Sequence, residues 1–240
     1  MRHAVILAGG QGERLRPLTE DRPKAMIELL GNPIMAYQLQ WLRSHGISRL
    51  VVACGYRHEI IQDYFGDGSK WRINIEYEIE EQPLGRGGAL KAAMKRLADV
   101  DGPVLAINGD LITNLPIDEL VGFHNSHRCL ATLVTVPLRS PYGIVEIADG
   151  ASVVGFREKP ELPFCVNAGI YVLNPEIVDL LPDRGDHETT TFPRMAREGG
   201  LKAYRSNAFW RTVDTAKDVT ELRGELEKMF LDSFFQTTVR

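Results

Sequence analysis

The sequence predicts an α/β fold: a Rossmann-like, mostly parallel central sheet flanked by helices, with a strand-rich second half. Short apolar runs rich in Val, Ile and Ala alternate along the first half with helical patterns. Because two parallel strands need a crossover connection, usually a helix, this β-α-β-α alternation favours a parallel sheet with helices on both faces. Hydrophobic residues make up 44% of the 240 residues and charged residues 25%, the composition of a folded protein with a substantial core.

The elements of the first half follow from apolar spacing and from helix-ending glycines. Apolar residues recur over Ile34–His45 with a helical period, and Gly46 ends the pattern. Short β-branched runs between such segments predict strands, and Ile73–Glu78 alternates as a half-buried strand does. The predicted strands are Ala4–Ala8, Leu50–Cys54, Ile73–Glu78 and Val104–Ile107, and the predicted helices are Ile34–His45, His58–Phe65 and Gly87–Leu97.

The second half is predicted to contain more strands than helices. Because ligands of open parallel sheets bind beyond the carboxyl ends of the strands, the loops after Ala8 and Ile107 are the predicted binding region. No internal repeat or linker divides the chain, so we expect one domain over residues 1–240, with halves at about 1–125 and 126–240. The predicted elements of the second half are strands over Ala131–Pro137, Gly143–Ile147, Val153–Glu158 and Val166–Leu173 and a helix over Ala216–Phe230.

Charge and cysteine usage argue against several classes of protein. The net charge is −4 and the chain has no basic block, which argues against sequence-independent binding to nucleic acid. Cys54, Cys129 and Cys165 lie far apart in apolar segments, as expected for reduced core thiols of a cytoplasmic protein. The apolar run at the start is too short for a signal peptide, and no stretch approaches membrane-spanning length, so we expect no contact with a membrane.

A glycine-rich loop follows the first strand directly, in the run Leu7–Thr19. Glycines allow positive φ and let backbone N–H groups approach phosphate oxygens closely. Arg14 and Arg16 add charge-assisted donors suited to phosphate, and Lys24 follows a proline that stiffens its loop. The loop lacks the P-loop pattern and misses the G-x-G-x-x-G spacing, so neither a P-loop ATPase nor a dehydrogenase is indicated.

The glycine-rich run also carries a family resemblance. Leu7–Thr19, with Arg22-Pro23-Lys24 and Gly31-Asn32-Pro33, resembles the opening of the sugar-nucleotide pyrophosphorylases, the nucleotidyltransferases that act on sugar 1-phosphates. The resemblance covers nearly the whole chain in the expected order. It continues through Glu81–Ala89, Asn108-Gly109-Asp110, Glu158-Lys159-Pro160 and Asn167-Ala168-Gly169. It implies the nucleotide-diphospho-sugar transferase fold, with a nucleotide-binding first half and a sugar-binding second half.

The resemblance implies a role for each matching residue. Arg14 would stabilise the departing pyrophosphate and Lys24 would contact the reacting phosphates, so both are the implied catalytic residues. The implied contacts to the nucleotide are Leu7, Ala8, Gly9, Gly10, Gly12, Gln82 and Gly87, the last two at the base edge. The implied contacts to the sugar 1-phosphate are Tyr142, Gly143, Glu158, Lys159, Asn167 and Gly169, with Lys159 at the phosphate.

The implied cofactor is Mg²⁺, held by Asp110 and Asp214, since carboxylates are the hard oxygen ligands that this ion takes. The second ligand departs from the family pattern. Many relatives carry Trp-x-Asp-x-Gly-Thr, whereas this chain reads Trp210–Thr215 with Thr212 at the ligand position. Residues two apart in an extended strand point to the same face, so Asp214 could reach the metal after a modest backbone shift. Two alternatives stay open: Asp214 as a turn residue, or a metal held by Asp110 with phosphates and water.

The expected reaction joins an NTP to a sugar 1-phosphate and releases pyrophosphate. Pro83–Leu90 is most similar to guanylyltransferases of mannose- or heptose-type phosphates, so GTP is the favoured nucleotide. Cys54-Gly55-Tyr56 and Trp210–Thr215 are also similar to cytidylyltransferases, and a uridylyl- or thymidylyltransferase is a further alternative. A different class, an inactive nucleotide-sugar-binding regulator, is disfavoured by the retained arginine, lysines and Asp110. We expect a monomer or a homodimer.

Overall fold

The structure is a computed structural model that describes residues 2–238, with side chains described through Met229. Its helices are α1 Ile34–Ser44, α2 His58–Phe65, α3 Gly85–Lys95, α4 Ile117–His127, α5 Thr191–Glu198 and α6 Ala216–Thr238. Its strands are β1 His3–Leu7, β2 Glu28–Leu29, β3 Asn32–Pro33, β4 Arg49–Cys54, β5 Asn74–Ile79, β6 Val104–Asn108, β7 Leu111–Thr113, β8 Ala131–Arg139, β9 Ile144–Ile147, β10 Val153–Arg157, β11 Glu161–Leu173, β12 Leu201–Arg205 and β13 Trp210–Thr212.

A seven-stranded sheet forms the centre of the molecule, in the order β12-β8-β11-β6-β1-β4-β5. The pairs β1–β4, β1–β6, β4–β5 and β12–β8 are parallel. Strand β11 is antiparallel to both of its neighbours, β6 and β8. The predicted mostly parallel sheet is therefore confirmed, and the strand-rich second half enters it through the antiparallel β11.

Both faces of the sheet are covered, as the continuous apolar runs predict. On β1, Ala4 and Ile6 point to one face and pack with residues of α1, α2 and α4. Val5 points to the other face and packs with residues of α3 and α5. A third cluster lies outside the sheet, where Leu222 and Leu226 of α6 pack against the segment that follows the glycine-rich loop. The first half of α6 thereby packs against a segment near the start of the described chain.

Some details differ from the sequence-based expectations. Cys54 and Cys129 are buried as predicted, but Cys165 is exposed. Burial raises the pKa of the Cys54 thiol to about 12, with further contributions from two nearby glutamates, so this thiol stays protonated. Helix α6 extends eight residues beyond its predicted end at Phe230, to Thr238. Within residues 2–238, no helix is both long enough and apolar enough to cross a membrane.

Candidate active site

The glycine-rich loop lies at the carboxyl end of β1, in the middle of the sheet. Gly12 has a φ of 65°, in the left-handed region that favours glycine. Its carbonyl accepts a hydrogen bond from Thr19 Oγ1 at 2.8 Å and another from the N–H of Leu15, also at 2.8 Å. Leu15 is buried and anchors the loop in the third apolar cluster, so the loop is a closed, supported turn.

Asp110 reaches this loop because the end of β6 packs tightly on the end of β1. The N–H of Gly109 donates to the Leu7 carbonyl at 2.9 Å, and a Cβ at position 109 would lie 2.9 Å from the same oxygen. Glycine is therefore needed where the two strand ends meet, and the next residue, Asp110, is presented beside the glycine-rich loop.

Asp214 reaches the same place from the far end of the sequence. Strand β13 pairs antiparallel with β7, which places Thr212 opposite Leu111. Immediately beyond β13, the N–H of Val213 donates to the Asp110 carbonyl at 2.9 Å. This backbone contact sets the two segments side by side and delivers the side chain of Asp214 next to that of Asp110.

Four charged side chains, Arg14, Lys24, Asp110 and Asp214, meet here; we call them the charge cluster. Lys24 Nζ donates to Asp110 Oδ2 at 2.7 Å and to Asp214 Oδ1 at 2.9 Å. Arg14 donates to the same Asp214 oxygen at 2.8 Å. The Lys24 side chain is only 15% exposed, whereas that of Arg14 is 75% exposed. The ammonium group thus bridges two carboxylates, and the guanidinium faces the solvent side.

The two carboxylates suit a hard divalent cation that takes few protein ligands and completes its coordination with phosphate oxygens and water. Among the side chains that the structure describes, which end at Met229, no group of three or more His, Cys, Asp or Glu residues is arranged to hold a metal ion by itself. The donor set therefore fits a cation that arrives with a phosphorylated ligand, and it does not fit a closed structural zinc site.

Two cavities meet at the charge cluster. The first has a volume of about 290 Å³ and the second about 340 Å³. Both are lined by Lys24, Arg86, Asn108 and Asp110, so these residues form the wall between them. The remaining lining of the first cavity is Leu7, Ala8, Gly9, Gly10, Ala25, Glu80, Pro83, Gly85, Ala89 and Gly109. The remaining lining of the second cavity is Arg14, Asn167, Ala168, Gly169, Glu188, Trp210, Thr212 and Asp214.

The structure brings together most of the residues singled out in the sequence. Leu7, Ala8, Gly9 and Gly10 line the first cavity, and Asn167 and Gly169 line the second. Gly169 has a φ of 69°, and a Cβ there would lie 2.5 Å from the Asn108 amide, so glycine permits the close approach of β11 to β6. The other expected contacts lie outside the lining of both cavities: Gly12, Gln82, Gly87, Tyr142, Gly143, Glu158 and Lys159.

The backbone of Gly87 makes a contact that the sequence did not predict. Its N–H donates to the carbonyl of Gly185 at 2.8 Å, so it is already used within the protein. A Cβ at this position would lie 2.7 Å from Pro182 Cγ and 2.8 Å from the backbone nitrogen of His187. Glycine is thus required for the packing of the loop over residues 182–188 onto the start of α3. Gln82, also expected at the base, is exposed in the preceding loop.

Four of the expected sugar-phosphate contacts lie on a separate two-stranded ribbon, β9–β10, and its flanking turns. Glu158 and Lys159 follow β10 directly, and both are exposed. The Glu158 carboxylate lies over Gly143, where a Cβ would approach Oε2 to 2.9 Å. Lys159 has a φ of 44°, a left-handed conformation that few non-glycine residues adopt. The ribbon therefore holds these residues together without placing them in the wall of either cavity.

Two acidic residues of the cavity walls were missed by the sequence analysis. Glu80 lies at the end of β5, where its Oε2 accepts the N–H of Leu84 at 2.9 Å. A Cβ at Gly9 would lie 2.8 Å from Glu80 Oε1, so this carboxylate reaches the glycine-rich loop. Its only sequence signal is its position one residue before the motif Glu81–Ala89. Glu188 lies in the loop before α5 and had no sequence signal.

The comparisons with known sequences agree on one family. The family described as Nucleotidyl transferase matches residues 3–228. Mannose-1-phosphate guanyltransferase 2 of Candida glabrata is 36% identical over 222 residues, which cover 89% of this chain and 62% of that protein. The probable mannose-1-phosphate guanylyltransferase 1 of Oryza sativa is 36% identical over 239 residues, covering 96% of this chain and 65% of that protein. The chain thus spans less than two thirds of the length of these relatives.

Solved structures show the same fold. HddC from Yersinia pseudotuberculosis has a TM-score of 0.76 and 26% identity, covering 94% of this chain and 100% of that one. The same protein complexed with GMP-PN has a TM-score of 0.75 and 25% identity. A UDP-glucose pyrophosphorylase complexed with UDP-glucose, at 16% identity and a TM-score of 0.75, shares the fold. Nucleotidyl transferases generally use a divalent metal. By sequence match, sheet and site residues, this chain belongs to the nucleotidyl transferase family.

Proposed function

We propose that the protein is a sugar-1-phosphate nucleotidyltransferase, which converts an NTP and a sugar 1-phosphate into an NDP-sugar and pyrophosphate. The observation that carries this proposal is the charge cluster at the wall between two cavities. One cavity adjoins the glycine-rich loop, where backbone N–H groups suit phosphates. The other is polar and carries Asn167 and Gly169, which match the sugar contacts of the family. The phosphates of both substrates would meet at Lys24 and Arg14.

The reaction needs no general base in this site. A sugar 1-phosphate is largely dianionic at pH 7, because its second pKa is about 6. One of its oxygens attacks the α-phosphorus of the NTP, the new P–O bond forms, and the bond to the β-phosphate breaks with release of pyrophosphate. The barrier arises from bringing anions together and from charge developing on the leaving group, so positioning and electrostatic stabilisation supply the catalysis.

Each charged residue of the site has its own proposed role in this reaction. Lys24, fixed between two carboxylates, would hold a phosphate at the wall between the cavities. Arg14, the more exposed cation, would stabilise the departing pyrophosphate. Asp110 and Asp214 would hold Mg²⁺, which supplies charge neutralisation on phosphate oxygens. Lys159, on the exposed ribbon, would contact the phosphate of the sugar 1-phosphate, with Glu158 at a sugar hydroxyl.

We infer a preference for GTP from Glu80. A carboxylate accepts hydrogen bonds and donates none, and guanine presents two adjacent donors, N1–H and the N2 amino group. On the Watson–Crick edges of adenine, cytosine and uracil each donor has an acceptor as its neighbour, so none of these bases offers two adjacent donors. Glu80 lines the first cavity with both oxygens oriented, one by Leu84 N–H and one toward Gly9. The guanyltransferase relatives and the GMP-PN complex of a structural neighbour support the same base.

The relatives also suggest the first sugar to test, mannose 1-phosphate, because their names specify it. A heptose 1-phosphate is the second candidate, from the resemblance in Pro83–Leu90. A cytoplasmic location, a monomeric or homodimeric state, and the absence of nucleic-acid and membrane partners stay predictions of the sequence.

The proposal is tested with a matrix of four NTPs against a panel of sugar 1-phosphates. Pyrophosphate release is measured, and the nucleotide sugar is identified by mass spectrometry. We expect product with Mg²⁺, none after addition of EDTA, and the highest kcat/KM with GTP. Turnover without any divalent ion, or NTP hydrolysis that does not need the sugar phosphate, would contradict the mechanism. Nucleotide binding without product would instead favour the inactive regulator.

The base assignment has its own matched pair of variants. Glu80→Gln replaces one acceptor oxygen by a donor, so we expect kcat/KM for GTP to fall about tenfold or more. Glu81→Gln makes the same change one residue later, at a side chain that lines neither cavity, and should leave nucleotide choice unchanged. Equal nucleotide preference in the two variants would remove Glu80 from base recognition, whichever NTP the parent protein prefers.

A further inference from the structure

A carboxylate that no motif pointed to lies in the wall of the second cavity. Glu188 lies between β11 and α5 and shares this cavity with Asn167, Gly169 and the charge cluster. Its side chain is 24% exposed, so it is neither a freely solvated surface group nor a sealed core residue. Glu158, the carboxylate expected at the sugar, lies outside this wall. Glu188 is the carboxylate that lines this cavity in addition to Asp110 and Asp214.

The orientation of Glu188 is fixed by three donors. Oε1 accepts from Asn167 Nδ2 at 2.9 Å and from the Tyr171 hydroxyl at 2.8 Å. Oε2 pairs with Arg86 Nη1 at 2.8 Å. The Tyr171 ring is fully buried, and burial raises the pKa of its phenol further than the neighbouring Glu188 charge does, so the hydroxyl keeps its proton and donates. The carboxylate is therefore held in one position before any ligand enters.

The chain around Glu188 is fixed as well. In the 182–188 loop, the Gly185 carbonyl accepts the Gly87 N–H at 2.8 Å, and the Gly185 N–H donates to the Leu84 carbonyl at 2.7 Å. Arg86, between these two contacts, also pairs with Asp186 of the loop. The first turn of α3 thus carries the loop on its surface, and Arg86 ties Glu188 to a helix whose start lines the first cavity.

The chemistry of a held carboxylate selects its ligand. An ionised carboxylate has about four acceptor positions, and three donors leave capacity on the cavity side. The negative carboxylate would repel a phosphate oxygen, whereas a hydroxyl of a sugar ring can donate a hydrogen bond to it. Because the carboxylate is fixed, only a hydroxyl at the right ring position can make this hydrogen bond. Sites built to hydrogen-bond a substrate hydroxyl reject analogues that lack it, because the analogue leaves an oriented acceptor without the hydrogen bond that the substrate would supply.

We propose that Glu188 accepts hydrogen bonds from ring hydroxyls of the sugar 1-phosphate and so determines which sugar is used, with Arg86 as its positioning residue. This proposal rests on the proposed function, since it names the group of the same site that recognises the sugar. In this proposal, Glu188 of the 182–188 loop discriminates between sugars. The charge cluster and Lys159 bind the phosphate of the same substrate.

The test uses Glu188→Gln with Asp183→Asn as the matched control. Asp183 belongs to the same loop and pairs with Lys91, but its side chain is 89% exposed and lines neither cavity. Steady-state kinetics are measured with the best sugar 1-phosphate of the parent protein, with its epimers and with its monodeoxy analogues. In Glu188→Gln we expect KM for the sugar 1-phosphate to rise about tenfold or more while KM for the NTP changes less than about twofold.

The discrimination between the parent sugar and one deoxy analogue should shrink in Glu188→Gln and stay unchanged in Asp183→Asn. Arg86→Lys keeps the positive charge but loses the planar guanidinium, so it should shift discrimination in the same direction by a smaller factor. A purely structural role would lower activity on all sugars equally. Unchanged discrimination in Glu188→Gln, or an equal change in Asp183→Asn, would overturn the proposal.

A second readout separates this proposal from the proposed function. Thermal stabilisation by mannose 1-phosphate and by GTP is measured for the parent, Glu188→Gln and Asp183→Asn. If the parent makes no nucleotide sugar, the proposed function fails, but loss of the sugar-phosphate stabilisation in Glu188→Gln alone still supports sugar recognition by this residue. A parent protein that no sugar 1-phosphate of the panel stabilises or turns over would overturn both.

Discussion

Replacing Asp214 by asparagine tests the arrangement on which the proposed chemistry depends most. The change keeps the shape of the side chain and removes its charge. The backbone should stay in place, because the N–H groups of residues 214 and 215 donate to Asp218 Oδ2 at 2.9 and 2.7 Å. The preceding residue, Val213, is fully buried, and its N–H donates a hydrogen bond to the Asp110 carbonyl. Asp214→Asn therefore isolates the contribution of one negative charge.

Asp214→Asn is expected to affect the free energy of unfolding much less than the rate of turnover. The Asp214 side chain is 33% exposed, and solvent screening limits what its pairs with Lys24 and Arg14 contribute to the free energy of unfolding to about 1 kcal/mol or less. Catalysis by electrostatic stabilisation loses far more when one preorganised group is removed, typically a factor of about 10² to 10³ in kcat. We expect a loss of turnover in that range, with little change in the unfolding midpoint.

The assay is pyrophosphate release over a titration of MgCl₂. Asp214→Asn should raise the magnesium concentration needed for half-maximal activity, as Asp110→Asn should. Thr212→Ala is the control, because Thr212 lines the same cavity but is neutral and lies at the position where many relatives carry the carboxylate. Its hydroxyl makes only a long contact, 3.4 Å, to the Asp110 carbonyl.

Two results would refute this reasoning. Near-normal turnover and unchanged magnesium dependence in Asp214→Asn would remove it from the metal site and leave Asp110 as the only protein ligand. A larger loss in Thr212→Ala than in Asp214→Asn would show that the position aligned with the relatives keeps the role despite its neutral side chain.

Three further predictions concern the substrates and the fold. Lys159→Ala should raise KM for the sugar 1-phosphate, whereas Arg14→Ala should mainly lower kcat, because its partner charge develops as pyrophosphate leaves; identical kinetic effects would contradict this division of roles. Gly87→Ala should lower the free energy of unfolding by about 1–3 kcal/mol in denaturant titrations, since the new Cβ would lie 2.8 Å from the backbone nitrogen of His187, while Gly224→Ala, with open space around it, should not destabilise the protein. Burial lowers the pKa of His187 below its ordinary 6.5, so the unfolded chain binds more protons below that pH and stability falls as the pH falls. His187→Phe should flatten the slope of unfolding free energy between pH 7 and pH 5, by up to about 1.4 kcal/mol per pH unit, and an unchanged slope would exclude this histidine as its source.

The sequence predicts well those elements whose burial alone determines their pattern. The helix over His58–Phe65 and the strand over Leu50–Cys54 match α2 and β4 closely, because apolar spacing and flanking glycines mark them locally. The prediction that Cys165 is a core thiol is wrong, because its exposure depends on a long-range strand pairing. Strand β11 contacts β6 only from Ile170 onward, so its earlier part pairs with β8 alone and is left exposed. Pairing partners of this kind are set by topology, and no local pattern encodes them.

The residues of the candidate site also fall into those that the sequence predicts and those that only the fold identifies. Asp110 and Lys24 were predicted by motif, and the structure brings them together across 86 residues of sequence. Glu80 and Glu188 have no periodic signature, because an acidic residue in a loop looks the same whether it faces a cavity or the solvent. What distinguishes Glu188 is its pairing with Arg86 and Tyr171, and these contacts exist only once α3 and β11 have met. Sequence motifs thus indicate the phosphate-facing residues and part of the second cavity, while the two carboxylates proposed to face the base and the sugar are recognised only in the fold.

The charge cluster also sets an order of events during synthesis. Arg14 and Asp214 are separated by 200 residues, and Lys24 and Asp214 by 190. The strands β1, β4, β5 and β6 have all been made by Asn108, so the glycine-rich loop and the end of β6 can come together on a growing chain well before Asp214 leaves the ribosome. Until then Lys24 has only one of its two carboxylate partners. A nascent chain can therefore bring the glycine-rich loop beside Asp110 before Asp214 is available to complete the charge cluster.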